Sequence, residues 1–265
     1  MTAKKRIWAV YHDTLGAVSF GAMGLNSLLA AEAPKAVVQR LGILGDVHAE
    51  HTLIASALRH FRQLGADCVV AVGDLMDGFG DAEATLRLLS EEQVVAVAGN
   101  HDRWWLKGEL RDLPDATPAL GLSEAARAYV SSLPRTRELQ TPRGALVLCH
   151  GVGANDFVGI KPHTTDAEAL EIPELRALLA EPQVAFLVNG HTHRPMLRQF
   201  ARPRGAALSV LNAGTLHRNY RSVCAVADFA QNSVEFFDLD AHGARSAARW
   251  ALDAQHCALK VPERK

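Results

Sequence analysis

Five short apolar runs along this chain each end in a small polar motif, and this regularity constrains the fold more than any other feature. The run 41–45 passes into Gly45-Asp46-Val47-His48, and 67–72 into Gly73-Asp74-Leu75-Met76-Asp77-Gly78. Run 94–98 ends at Gly99-Asn100-His101-Asp102, 145–149 at His150-Gly151, and 184–188 at Asn189-Gly190-His191-Thr192-His193. Apolar runs of this length read as strands. In open α/β sheets ligands sit beyond the carboxyl ends of the strands, so parallel neighbours would bring all five motifs to one rim. Glycine at each junction permits a sharp turn and a close backbone approach to a ligand.

Between the runs lie helical periods. Residues 52–64 place Leu53, Ile54, Ala57, Leu58, Phe61 and Leu64 on one side, and 82–89 and 123–132 also read as helices. Ser123 is a plausible N-cap for the last of these. Residues 166–180 are expected to be helical with a bend at Pro173. Apolar runs at 196–200, 207–211, 223–228 and 234–239 then follow with only turns between them, which predicts sheet strands. The tail from Ala241 is expected to be partly helical. The order βαβαβ, then mixed, then all β, predicts an α/β fold of two packed sheets with helices outside.

Composition excludes several alternatives. With 48% hydrophobic and 22% charged residues the chain has an ordinary globular balance, not that of a disordered or fibrous protein. Lysine plus arginine is 28 against 29 acidic residues, so no basic surface for nucleic acid is predicted. Cys68, Cys149, Cys224 and Cys257 form no C-x-x-C pair and read as reduced cysteines, most of them in the core. Residues 1–40 stand apart as an extension of unknown role. Lys4, Lys5 and Arg6 before an uncharged stretch outline a signal peptide, but His12, Asp13, Asn26 and Ser27 interrupt its apolar character. The stretch is also too rich in Gly, Ala and Ser for a membrane span. The expectation is a cytoplasmic protein, with export as the alternative if residues 1–33 are a signal. Oligomeric state is unreadable.

The side chains converging on the rim are carboxylates, an asparagine amide and imidazoles, with no thiolate. That set suits Mn, Fe, Ni or Zn. Seven or eight ligands are too many for one ion and suit two, and a carboxylate such as Asp74 can bridge a pair about 3.5–4 Å apart. Taken singly, Asp46 or Asp74 would read as a helix N-cap, His48 as a loop residue and His150 as a satisfied core imidazole. Their joint order at strand ends is what those separate explanations leave unaccounted for.

In the order GDxH, GDxxD, GNHD, HG and GHTH, the five blocks resemble those of the calcineurin-like metallophosphoesterases, over about Leu41 to Asp240. The resemblance implies a four-layer α-β-β-α sandwich of two mixed sheets with flanking helices, occupying 41–265 with its motif core in 41–240. It further implies that Asp46, His48 and His193 bind a first metal and Asn100, His150 and His191 a second, with Asp74 bridging both. His101 would be the general acid toward the leaving group, oriented by Asp77, with Asp102 the alternative for that duty. Asn212-Ala213-Gly214-Thr215 resembles the family's late NPGS-like turn, with Ala213 in place of proline. The implied reaction is hydrolysis of a small phosphodiester or phosphomonoester by a metal-bridging hydroxide.

Three other readings stay open. A phosphoprotein phosphatase would resemble GDxVDRG and GNHE, where this chain lacks the arginine and has Asp102. Sugar diphosphate hydrolases share Gly190 to Pro195 but resemble GNRD where this chain has His101, and dinucleoside polyphosphate hydrolysis is a further nucleotide variant. The last is a non-catalytic scaffold of the same fold. His163 and His217 fall in loops able to border the pocket, and Arg103, Lys161 and Arg194 are candidates to meet a phosphate. Trp104 or Trp105 would either stack on a nucleoside or aryl group or pack against a helix.

Overall fold

In a computed structural model that describes residues 28–118 and 120–260, the alternating apolar runs form two six-stranded sheets. The elements, in chain order, are β1 (Arg40–Leu44), α1 (His51–Gln63), β2 (Cys68–Ala71), α2 (Ala82–Glu91), β3 (Val95–Ala96), α3 (Asn100–Lys107), α4 (Glu124–Ser132), β4 (Thr136–Thr141) and β5 (Gly144–Cys149). Then come α5 (Asp166–Leu170), α6 (Pro173–Ala180), β6 (Val184–Asn189), β7 (Met196–Phe200), β8 (Leu208–Asn212), β9 (Val223–Asp228), β10 (Ser233–Leu239), β11 (Ala244–Ala251) and β12 (His256–Ala258). The first sheet runs β11-β10-β9-β1-β2-β3 and the second β12-β7-β8-β6-β5-β4. Both are mixed: β1, β2 and β3 are parallel, as are β5, β6 and β8, while the remaining strands pair antiparallel with their neighbours.

The strand period of two builds the layers. Leu41 and Ile43 of β1 join Val70, Leu146, Leu148, Val188 and Leu211 in the core between the sheets. Leu44, on the other face, packs with Ile54, Phe61 and Leu86 of the helices outside the first sheet. Cys149, Leu187 and Val210 pack against Ala169 and Leu175 outside the second. The result is the four-layer sandwich. Phe61 of α1 lies over Gly42, where an added Cβ would meet its ring at 2.6 Å, so glycine sets the helix-to-sheet spacing. Phe61→Ala is expected to lose about 3–5 kcal/mol of stability through the cavity it leaves, measurable by denaturant unfolding.

Several sequence expectations change. The tail is not helical: β11 and β12 are edge strands, and β11 pairs with β10 through a register shift at Phe236/Phe237. Pro173 does not bend one helix but starts a second, α6, where its missing N–H leaves no bond unmade. Helix α3 and strand β4 were not predicted. Helix α3 begins inside the GNHD block, its first turn capped by Asp102, which accepts from the Gly99 N–H at 2.7 Å. The signal-like stretch through residue 27 lies outside the described residues, while Ala31 and Val38 pack into the core between the sheets. Among the described residues no helix is long and apolar enough to cross a membrane. Cys68, Cys149 and Cys224 are buried free thiols and Cys257 is half-buried.

Candidate metal centre

Parallel pairing of β1 with β2 and of β5 with β6 aims the motifs after these strands at a common rim between the sheets. The turns there are unusually strained. His48, Asp74, Asp77, His191 and His193 all have positive φ, between 47° and 64°. Non-glycine residues in this region are rare, though Asp and His tolerate it better than most, and such strain gathers at functional sites. Turning each chain sharply at a strand end points these side chains inward.

Two carboxylates sit at the centre. Asp74 Oδ1 accepts from the His101 N–H at 2.9 Å, and its Oδ2 lies 3.3 Å from His150 Nε2 and 3.9 Å from His48 Nε2. Asp46 Oδ1 accepts from the His191 N–H at 2.9 Å and lies 3.4 Å from His150 Nδ1. Its Oδ2 is 3.2 Å from His193 Nε2 and has no hydrogen-bond partner among the described residues. His48 and His193 face each other Nε2 to Nε2 at 3.1 Å. The His48 Nδ1–H donates to the Asp77 carbonyl at 2.6 Å, which leaves Nε2 as the lone-pair nitrogen. Likewise His150 Nδ1 meets the Val72 carbonyl at 3.0 Å.

Asn100 stands opposite, its amide 3.0 Å from His150 Nε2 and 2.9 Å from His191 Nδ1. With its oxygen toward the rings, three lone-pair atoms face one point. Turned over, its nitrogen donates to both rings and to the Asp156 carbonyl. A cation would satisfy the inward atoms of the first arrangement, in which the amide nitrogen faces the His101 N–H; the second lets the amide oxygen accept from that N–H at 3.2 Å. Two donor groups emerge, His48–Asp74–His193 and Asp46–Asp74–His150, with ligand atoms within 4.8 Å of one another in each. Asp74 belongs to both. All seven expected ligands are therefore brought together, although Asp46 and His150, assigned to different metals from sequence, adjoin each other.

The electrostatics call for positive charge. Burial pushes the Asp46 carboxyl up to about 7, and the charge of Asp74 adds to this. Burial opposes ionisation of Asp74 as well, but His150, His101 and His48 outweigh it and hold that carboxyl well below its usual range. Burial would depress His150, yet the charges of Asp74 and Asp46 push it up to about 10. A proton there neutralises the carboxylates as a cation would. Desolvation lowers His48 to about 4 and places His191 and His193 below the ordinary histidine range, leaving neutral imidazoles. Neutral imidazoles and ionised carboxylates are the states that bind metal. The orphaned Asp46 oxygen and the all-oxygen-and-nitrogen donor set fit divalent cations.

Beside the cluster, His101 Nδ1 donates to Asp77 Oδ2 at 2.8 Å, so Asp77 engages one nitrogen of the ring and not the other. Against desolvation, that bond and the charge of Asp74 raise the affinity of His101 for a proton. Asp102 does not share this duty. Its oxygens accept from the Leu75, Met76 and Gly99 N–H groups at 2.7, 3.0 and 2.7 Å, tying two motif loops together. Burial, with the Asp74 charge, pushes it up to about 7.

Sequence reasoning missed Arg111. Its guanidinium donates to Asp77 Oδ1 at 2.7 Å and Oδ2 at 2.8 Å, beside the Thr117 N–H at 2.8 Å. Nothing in the aperiodic stretch after α3 marks it. The side chain of Asp77 is fully buried, so Arg111→Met strands a charge and is expected to cost about 3–5 kcal/mol of stability, read by thermal unfolding. His217 is buried against His48 at 4.9 Å between ring centres, held by Asp115 at 2.7 Å. Trp105 is buried, whereas Trp104 is half-buried with its ring 4.6 Å from that of His101. Arg103 pairs with Asp156; His163 and Lys161 are exposed, and half-buried Arg194 lies in the turn before β7. The Asn212–Thr215 turn closes the rim: Asn212 donates to the Gly190 carbonyl at 2.7 Å, and Thr215 Oγ1 to the Asp46 carbonyl at 2.9 Å.

Residues 40–232 match the model of the calcineurin-like phosphoesterase superfamily domain, and the chain belongs to that superfamily. Among solved structures it resembles a metallophosphoesterase from Sphaerobacter thermophilus, 19% identical, with 75% of this chain and 86% of that one covered at a TM-score of 0.55. It also resembles a hypothetical protein from Pyrococcus horikoshii, 14% identical, covering 77% and 88% of the two chains at a TM-score of 0.57. At these identities the likeness is one of fold. Among curated proteins none matches the sequence significantly.

Proposed function

We propose that this protein hydrolyses a small phosphoester with two divalent metal ions held by Asp46, His48, Asp74, Asn100, His150, His191 and His193. The observation that carries the reading is Asp74, a buried carboxylate common to two donor groups that otherwise use different residues. When bound, such a metal pair supplies Lewis acidity toward phosphoryl oxygens and lowers the pKa of coordinated water toward neutrality. The chain supplies the rest. Asn100, with its oxygen committed inward, presents its amide hydrogens to a phosphoryl oxygen. His101, one edge fixed on Asp77, offers the opposite edge to the departing oxygen and gives it a proton. Asp77 keeps one tautomer and one ring orientation, and Arg111 fixes Asp77 in turn. Trp104 lies against His101, and Phe157 against Trp104 and His191, beside the side on which the substrate would bind.

The test is hydrolysis of bis-p-nitrophenyl phosphate and p-nitrophenyl phosphate with added Mn, Ni, Zn or Mg, alongside metal analysis. Turnover of either ester that vanishes on chelation supports the reading, and preference for the first indicates a diesterase. Turnover that survives chelation overturns the two-metal reading, and no turnover with any ion favours a scaffold of the same fold.

A further inference from the structure

Two aromatic side chains stand at the mouth of the centre in a mounting that packing alone does not explain. Phe157 is 60% exposed, yet its ring lies 5.4 Å from His191 and 6.1 Å from Trp104. Trp104 in turn rests on His101 at 4.6 Å. A lone exposed phenylalanine is ordinary; one set against a candidate metal ligand and a second aromatic ring is not. Its loop is pinned on the N-terminal side. The Phe157 N–H donates to Asn155 Oδ1 at 3.1 Å, and Val152 and Asn155 exchange backbone hydrogen bonds at 3.0 and 3.1 Å. Arg103 Nε and Nη2 donate to Asp156 at 2.7 and 3.1 Å. The residues following each partner of that ion pair, Trp104 and Phe157, are the aromatic pair itself. The Arg103–Asp156 clip therefore joins α3 to the loop after β5 and sets the spacing of the two rings.

We propose that Trp104 and Phe157 form a subsite for a planar aromatic group carried by the departing alcohol, a nucleobase or a simple aryl ring, stacked on the open face of Phe157. The assignment to the departing side rests on the proposed role of His101, because Trp104 packs on that imidazole. A rigid aromatic wall gains stacking energy without the entropy of ordering it on binding.

Four ester pairs test this with the manganese-loaded full-length protein. Adenosine 5′-phosphate is compared with ribose 5-phosphate, and 2-phenylethyl with 2-cyclohexylethyl phosphate, each also as the methyl diester with release of the larger alcohol followed. Within each pair the scissile bond is alike and only the aromatic group differs. Stacking predicts kcat/KM higher for the aromatic member by about 5- to 100-fold. Preference in the adenosine pairs alone marks a nucleoside site, preference in the phenylethyl pairs alone an aryl site, and either supports the subsite. In Phe157→Ala and Phe157→Leu the ratio within each pair should fall toward one, while Phe157→Tyr should keep it. Hydrolysis with no aromatic preference, or a preference that survives Phe157→Ala, overturns the subsite and leaves the phosphoesterase reading standing. No hydrolysis of any ester overturns both.

Discussion

Asp74→Asn is expected to abolish metal retention and lower turnover on the order of 10³-fold or more, since losing several kcal/mol of transition-state charge stabilisation corresponds to that factor at 1.36 kcal/mol per decade. Asparagine keeps the shape and keeps an oxygen to accept from the His101 N–H, but it removes the charge common to both donor groups. The metal-free variant should be less stable than the metal-free wild type near neutral pH, because His150, His101 and His48 hold the Asp74 carboxyl ionised well below its usual range and neutralising it removes that attraction. Ligand linkage widens the gap with metal present: the wild type gains further stability from the bound ion and the variant does not. Thermal unfolding with and without manganese, with metal content measured on the same samples, reads both halves.

His101→Ala has a different signature. Metal content should stay at the wild-type level, because the imidazole commits its Nδ1 to Asp77 and belongs to neither donor group. Turnover of an alkyl ester should fall by about 10²–10⁴-fold, the usual worth of general acid help. The loss should be much smaller for a p-nitrophenyl ester, whose phenolate departs without a proton. Equal losses for both leaving groups would remove His101 from the proton-donor role, and loss of metal would move it into the ligand set.

The arrangement of this rim was legible in the sequence because its signals are local. Glycine beside Asp, Asn or His marks where a strand must stop and turn, and the left-handed φ of Asp74, His191 and His193 is the backbone form of that punctuation. The donors come from separate strands, but parallel pairing forces their ends together. What escaped depends on distant partners. Arg111 carries no periodic signal, and its importance appears only when its loop folds back onto Asp77. Of His163 and His217, both expected in loops able to border the pocket, only the fold tells which one does: His217 lies against His48, whereas His163 is exposed. The tail sequence Ala244–Ala251 is rich in helix-forming Ala and Arg, and its strand form is imposed by hydrogen bonding to β10. Helix α3 was hidden because its cap lies within a motif read for its chemistry.

The sharing of Asp74 is decided most directly by electron paramagnetic resonance of the protein titrated with manganese to saturation. Two ions bridged by one carboxylate should give a spin-coupled multiline spectrum at two equivalents per chain, reverting to weak isolated-ion signal in Asp74→Asn. A plain six-line spectrum saturating at one equivalent in the wild type would contradict a paired centre.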